Sequence, residues 1–109
     1  MLTECRNEAV NGKKVIDILS RLGYNCLMLY TEDTYEIKNQ PYFGHNRGRY
    51  TADELKIIDE YAKIKGVEVI SCVQTLAHLD AIFRWEEYQK ICDCNDILLA
   101  EDESTYRLI

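Results

Sequence analysis

Apolar positions along the chain switch between helical and extended spacing. From Asn11 to Leu22 they fall at Val15, Ile18, Leu19 and Leu22, the i, i+3, i+4, i+7 pattern of one helix face. Gly23 follows as a stop. Cys26-Leu27-Met28-Leu29-Tyr30 is short and continuously apolar, which suits a strand buried on both faces of a parallel sheet. Thr51 with Glu54 three residues later spells a capping box. It predicts a second helix, over 51–65, with a stripe of Leu55, Ile58 and Ala62 widened by Ile57, Tyr61 and Ile64, ended by Gly66. Residues 67–73 are β-branched and bounded, and read as a strand. Met1 to Cys5 reads as the remains of a first strand. The order is strand, helix, strand, helix, strand. Each crossover passes through a helix, so the strands are expected to be parallel, with right-handed connections.

Beyond the third strand, Leu79, Ile82 and Phe83 predict a helical stretch to about Gln89. Ile97-Leu98-Leu99 is a short apolar segment. Glu103 and Ser104 open a last helix, whose apolar face starts with Tyr106, Leu108 and Ile109. The pattern opens inside a strand and stops about one turn into a helix, so the expectation is a piece of a larger domain. Thr31 to Tyr50 breaks the rhythm: 20 residues connect a strand to a helix, where about 2–6 are usual. This stretch holds the only proline, Pro41, and the aromatics Tyr35, Tyr42, Phe43 and Tyr50. A disordered tether is poorer in aromatics, so the segment is expected to be ordered and packed over one end of the sheet.

Composition adds exclusions. The 109 residues carry 13 basic and 19 acidic side chains, a net charge of −6, which argues against a protein that tracks nucleic-acid phosphates. No apolar run approaches the roughly 20 residues of a membrane span, and Met1-Leu2-Thr3-Glu4-Cys5-Arg6 lacks the order of a signal peptide. The five cysteines are odd in number and read as reduced thiols of a cytoplasmic protein. Cys92-Asp93-Cys94 with Cys72 and His78 is a weak metal pattern, because Cys-x-Cys is not the usual Cys-x2-Cys spacing. No metal or organic cofactor is expected.

The candidate chemistry lies where the strands end. Arg6 follows the first strand, Glu32 and Asp33 the second, Gln74 and His78 the third. In parallel α/β folds ligands bind beyond the C-terminal strand ends, and these groups are expected to share one edge. Arginine offers a rigid fork for adjacent hydroxyls or a carboxylate. Aspartate and histidine can orient each other and pass a proton. Each also has a plainer reading: a surface arginine, a structural histidine, carboxylates capping local amides. Arg47 and Arg49 read as solvated loop charges or partners of nearby carboxylates. Trp85 reads first as packing and second as a stacking platform.

The runs Leu29-Tyr30-Thr31-Glu32-Asp33-Thr34-Tyr35-Glu36-Ile37, Pro41-Tyr42-Phe43-Gly44, Arg47-Gly48-Arg49-Tyr50-Thr51 and Gln74-Thr75-Leu76-Ala77-His78-Leu79 resemble glycoside hydrolase family 20, the β-N-acetylhexosaminidases, as does Asp96-Ile97-Leu98-Leu99. The resemblance spans essentially all of residues 1–109 and is most specific in the loop. It implies a partial (β/α)8 TIM barrel, with the first three parallel strands and their helices, in one N-terminal portion of a catalytic domain of about 250 residues. It implies hydrolysis of terminal β-linked N-acetylglucosamine or N-acetylgalactosamine by a substrate-assisted retaining mechanism. The acid/base Asp-Glu pair of that family follows the fourth strand and is expected beyond Ile109. Glu32-Asp33 follows the second strand and is rejected as that pair. Within residues 1–109 the resemblance assigns sugar binding to Arg6 and catalytic support to Asp33 and His78. Gln74 stands where many members carry an aspartate. The expected partner is a carbohydrate with a terminal N-acetylhexosamine, and the truncated barrel is expected to self-associate. A small α/β ligand-binding or interaction module without catalysis is the competing reading. Neither Gly-x-Gly-x-x-Gly nor a P-loop supports a nucleotide-binding version of it.

Overall fold

The computed structural model describes residues 8–109, so the first strand expected over 1–5 lies outside the described residues. The fold mixes helices with a small parallel sheet. Helix α1 spans Glu8–Arg21, β1 Cys26–Tyr30, α2 Ala52–Ile64 and β2 Glu68–Cys72. Strands β1 and β2 pair in parallel, with Leu27 beside Val69 and Met28 beside Ile70. Side chains alternate across a sheet, so these two pairs face opposite ways. Leu27 and Val69 pack on Ile16 of α1 and on Ile58 and Ala62 of α2, with Val67 completing this first core. Both helices therefore cover the same face. The other face is bare: Met28 is 66% exposed and Ile70 41%.

Local chemistry explains α2. Thr51 accepts the Glu54 backbone N–H at 3.1 Å, and the Glu54 carboxylate accepts the Thr51 N–H at 2.8 Å. Two otherwise unpaired donors of the first turn are thereby satisfied. Helix α1 corrects the expected apolar face. Val15, Ile18 and Leu22 are exposed, and Ile16 is the buried residue. The reason is close approach to α2: a Cβ on Gly12 would stand 3.0 Å from the Ile58 Cδ1. The face that meets α2 is thus the one bearing the small residue, not the one richest in large apolar groups.

The expected helix from Leu79 to Gln89 is also corrected. Residues 79–85 form successive turns, in which Ile82 donates to the Leu79 carbonyl, Phe83 to Asp80 and Trp85 to Ile82. Only Glu86–Gln89, α3, is helical. Such three-residue spacing keeps Leu79 and Ile82 inward as a helix would. Cys92–Cys94 (β3) and Ile97–Leu98 (β4) then pair antiparallel, and α4 covers Glu103–Leu108. Among the described residues, Cys26, Cys72, Cys92 and Cys94 are free thiols. No described helix is long and apolar enough to cross a membrane.

The long segment after β1 is ordered, as its aromatics suggest. Its base is closed by a parallel bridge between Tyr35 and Tyr50. Arg49 donates to the carbonyls of Pro41 at 3.1 Å and Phe43 at 2.6 Å. Phe43 is buried in a second core with Leu79, Ile82, Tyr88, Ile91, Leu98 and Leu108. The Tyr88 hydroxyl donates to Gln40 at 2.9 Å across the same junction, and burial pushes it up to about 12.

Candidate functional site

The C-terminal end of β1 turns sharply. Thr34 returns both its N–H (2.7 Å) and its hydroxyl (2.6 Å) to the Thr31 carbonyl, and Glu32 takes a left-handed backbone, φ 46°. A non-glycine residue there stores about 1–3 kcal/mol of strain. The turn drives Asp33 inward, where it is 1% exposed, while Glu32 stays at the surface. Gly44 closes over it: a Cβ at Gly44 would lie 2.0 Å from the Asp33 carbonyl oxygen.

Arg47 reaches back from the same segment and grips both acids. Its Nη2 donates to Glu32 Oε2 at 3.0 Å, and its Nε lies 3.1 Å from Asp33 Oδ1. The second contact pairs charges without hydrogen-bond alignment, and neither Asp33 carboxylate oxygen has a hydrogen-bond partner. Burial raises Asp33 above the usual 3.8. The charge of Arg47 opposes the rise most strongly, and the neighbouring Glu32 adds to it. The physical result is a buried carboxyl, ion-paired by Arg47 at one oxygen, with an enhanced hold on its proton.

This has a measurable consequence. The folded chain binds a proton at Asp33 more readily than the unfolded chain does. That proton's contribution to stability is fully present below the unfolded value, and is lost as pH rises through the raised folded value. As the pH rises from the usual aspartate value of 3.8, the urea midpoint of the parent chain is expected to fall relative to that of Asp33→Asn. Parallel midpoints over that rise would remove the assignment.

The end of β2 contributes differently. Gln74 and Glu32 both interact with the Tyr30 hydroxyl, whose pKa is raised by loss of solvent first and by the charge of Glu32 second. The ends of β1 and β2 therefore do meet. His78 does not join them by a direct bond to Asp33. It takes a left-handed backbone, φ 60°; its N–H donates to Asp96 Oδ2 at 3.2 Å, and its Nδ1 lies 3.5 Å from the same oxygen. Asp33 is paired with Arg47 and His78 with Asp96. Arg6 lies outside the described residues.

Three features of the site have no specific signal in the sequence: the approach of Gly44 to Asp33, the contact of Asp96 with His78 and an aromatic cluster. A glycine within an aromatic loop is a signal of close approach, but not of its partner. The rings of Tyr42, His45 and Trp85 form one cluster: Tyr42 and His45 each lie 5.3 Å from Trp85, centroid to centroid. Arg84 ties it to the loop by donating to the His45 carbonyl at 2.8 Å. Among the described residues no three His, Cys, Asp or Glu side chains are grouped to hold a metal ion. No family model matches the chain, and no curated protein matches it.

Proposed function

We propose that the chain is the N-terminal part of the (β/α)8 barrel of a β-N-acetylhexosaminidase. In this reading it supplies the sugar-gripping Arg6 and the supporting residues Asp33 and His78, while the acid/base pair is carried on the following strand. The observation that carries the proposal is Asp33: a carboxyl 1% exposed at a parallel strand end, with both oxygens free of hydrogen bonds. Structural carboxylates are normally satisfied where they are buried. One paired only with Arg47, with its proton affinity raised, suits a group that orients or shares a proton with a neighbouring catalytic acid. The bare Met28–Ile70 face adds support, because parallel sheets are ordinarily covered on both sides, and the opposing barrel wall would cover it.

The test is kinetic and uses the complete enzyme. Arg6→Ala is expected to lower kcat/KM for a chromogenic N-acetylglucosaminide by about 10- to 100-fold, through loss of charge-assisted hydrogen bonds to the sugar. An unchanged kcat/KM would overturn the role of Arg6. Absence of hydrolysis by the complete parent protein would overturn the function.

A further inference from the structure

Between the long loop and α3 lies a cleft of about 460 Å³ lined by Tyr42, Trp85, Glu86, Glu87 and Lys90. Its size falls within the range of small-ligand sites. Neither Asp33 nor His78 lines the cleft; its Tyr42 lies two residues before Gly44, which packs on the Asp33 carbonyl. We propose that this cleft is a second carbohydrate-binding surface, taking a neutral pyranose ring of the oligosaccharide against its aromatic wall. The proposal rests on the carbohydrate reading above and extends it to a site that reading does not use.

Three properties point to a sugar. The first is an aromatic wall fixed in advance. Tyr42 is tilted 32° to Trp85 at 5.3 Å, and His45 meets Trp85 edge-on at 71°. The Arg84 guanidinium lies 5.3 Å from the Trp85 ring centroid, and the same side chain holds the His45 carbonyl. Rigid aromatic side chains give contact area at low entropic cost. The second is that the wall is accessible, since Tyr42 is 44% exposed. The third is the polar complement. Glu86 and Glu87 are acceptors for hydroxyl groups and Lys90 is a donor. Two carboxylates against one ammonium disfavour a phosphate or carboxylate ligand, whereas a pyranose offers an apolar C–H face for the rings and neutral hydroxyls for the rim.

Trp85 is the chain's single tryptophan, so its fluorescence reports on this cleft and on the core it packs against. Titration of the 109-residue chain with the β-1,4-linked trimer of N-acetylglucosamine is expected to change that fluorescence saturably. Tyr42→Ala is expected to weaken the apparent affinity about tenfold, with an unchanged far-ultraviolet circular dichroism spectrum, because the side chain it removes is half exposed. Glu86→Gln combined with Glu87→Gln, which keeps the shape, is expected to weaken it as well. Trimer binding detected by ligand-observed NMR, with no response of Trp85 and no effect of Tyr42→Ala, would overturn the cleft and leave the carbohydrate reading standing. Absence of any trimer binding to the chain would also overturn the cleft, while hydrolysis by the complete enzyme still judges the parent activity separately.

Discussion

Gly44→Ala is expected to destabilise the fold by about 3 kcal/mol or more, against about 1–2 kcal/mol for Gly23→Ala. Both glycines have a left-handed backbone, φ 66° and 84°, so both substitutions carry a similar torsional penalty. Their surroundings differ. Nothing lies within 4 Å of a Cβ built on Gly23. A Cβ on Gly44 would meet the Asp33 carbonyl oxygen at 2.0 Å, its carbon at 3.2 Å and the Arg49 Cβ at 3.4 Å. The first is backbone, so relief requires the turn carrying Asp33 or the loop carrying Phe43 to move. Either movement disturbs a buried group, because Asp33 and Phe43 are both almost fully enclosed. Urea unfolding of the two variants beside the parent reads the difference. Equal losses would show that the close approach of Gly44 to Asp33 carries no energetic weight.

The 109-residue chain by itself is expected to show no hydrolysis of a chromogenic β-N-acetylglucosaminide. Glu32 and Asp33, the adjacent carboxyl groups after β1, cannot act as the proposed acid/base pair. Asp33 is 1% exposed, so a substrate cannot reach it, and Glu32 is held by Arg47 at 3.0 Å. General acid catalysis contributes about 10²–10⁴-fold, and the proposed division of the barrel also puts the group that positions the substrate's acetamido oxygen on another strand, a further large factor. The bare sheet face and the open outer edges expected of a partial barrel should favour association. An activity assay run beside a sizing measurement checks both expectations. Clear turnover by a monomer would defeat the proposed division of the barrel and the placement of the acid/base pair.

The sequence disclosed most where the causes are local. The α2 start was legible because Thr51 and Glu54 satisfy each other within one turn. The parallel pairing of β1 with β2 followed from a helical crossover between two short apolar runs. The face of α1 was misread because periodicity counts large apolar side chains, whereas the contact with α2 depends on the absence of one at Gly12. The turns at 79–85 were misread as helix because their spacing also keeps Leu79 and Ile82 inward. At the site, Asp33 was visible from its position after a strand. Its partner was left unspecific, because only the folded path of the loop brings Arg47 to it. The same limit hid Asp96 from His78.

The folded path of residues 31–50 also bears on how the protein can vary. Connecting segments ordinarily absorb insertions and deletions with little cost. Here the Tyr35–Tyr50 bridge fixes both ends, Arg49 fixes two carbonyls between them, and Phe43 sits in a core built with Leu79 and Leu98. Adding or removing a single residue between Glu36 and Arg49 would put either the ring or the guanidinium out of register. The length of this stretch is therefore as constrained as that of a core strand. Gly23 and Gly66 differ in having open surroundings, where a Cβ would meet nothing within 4 Å.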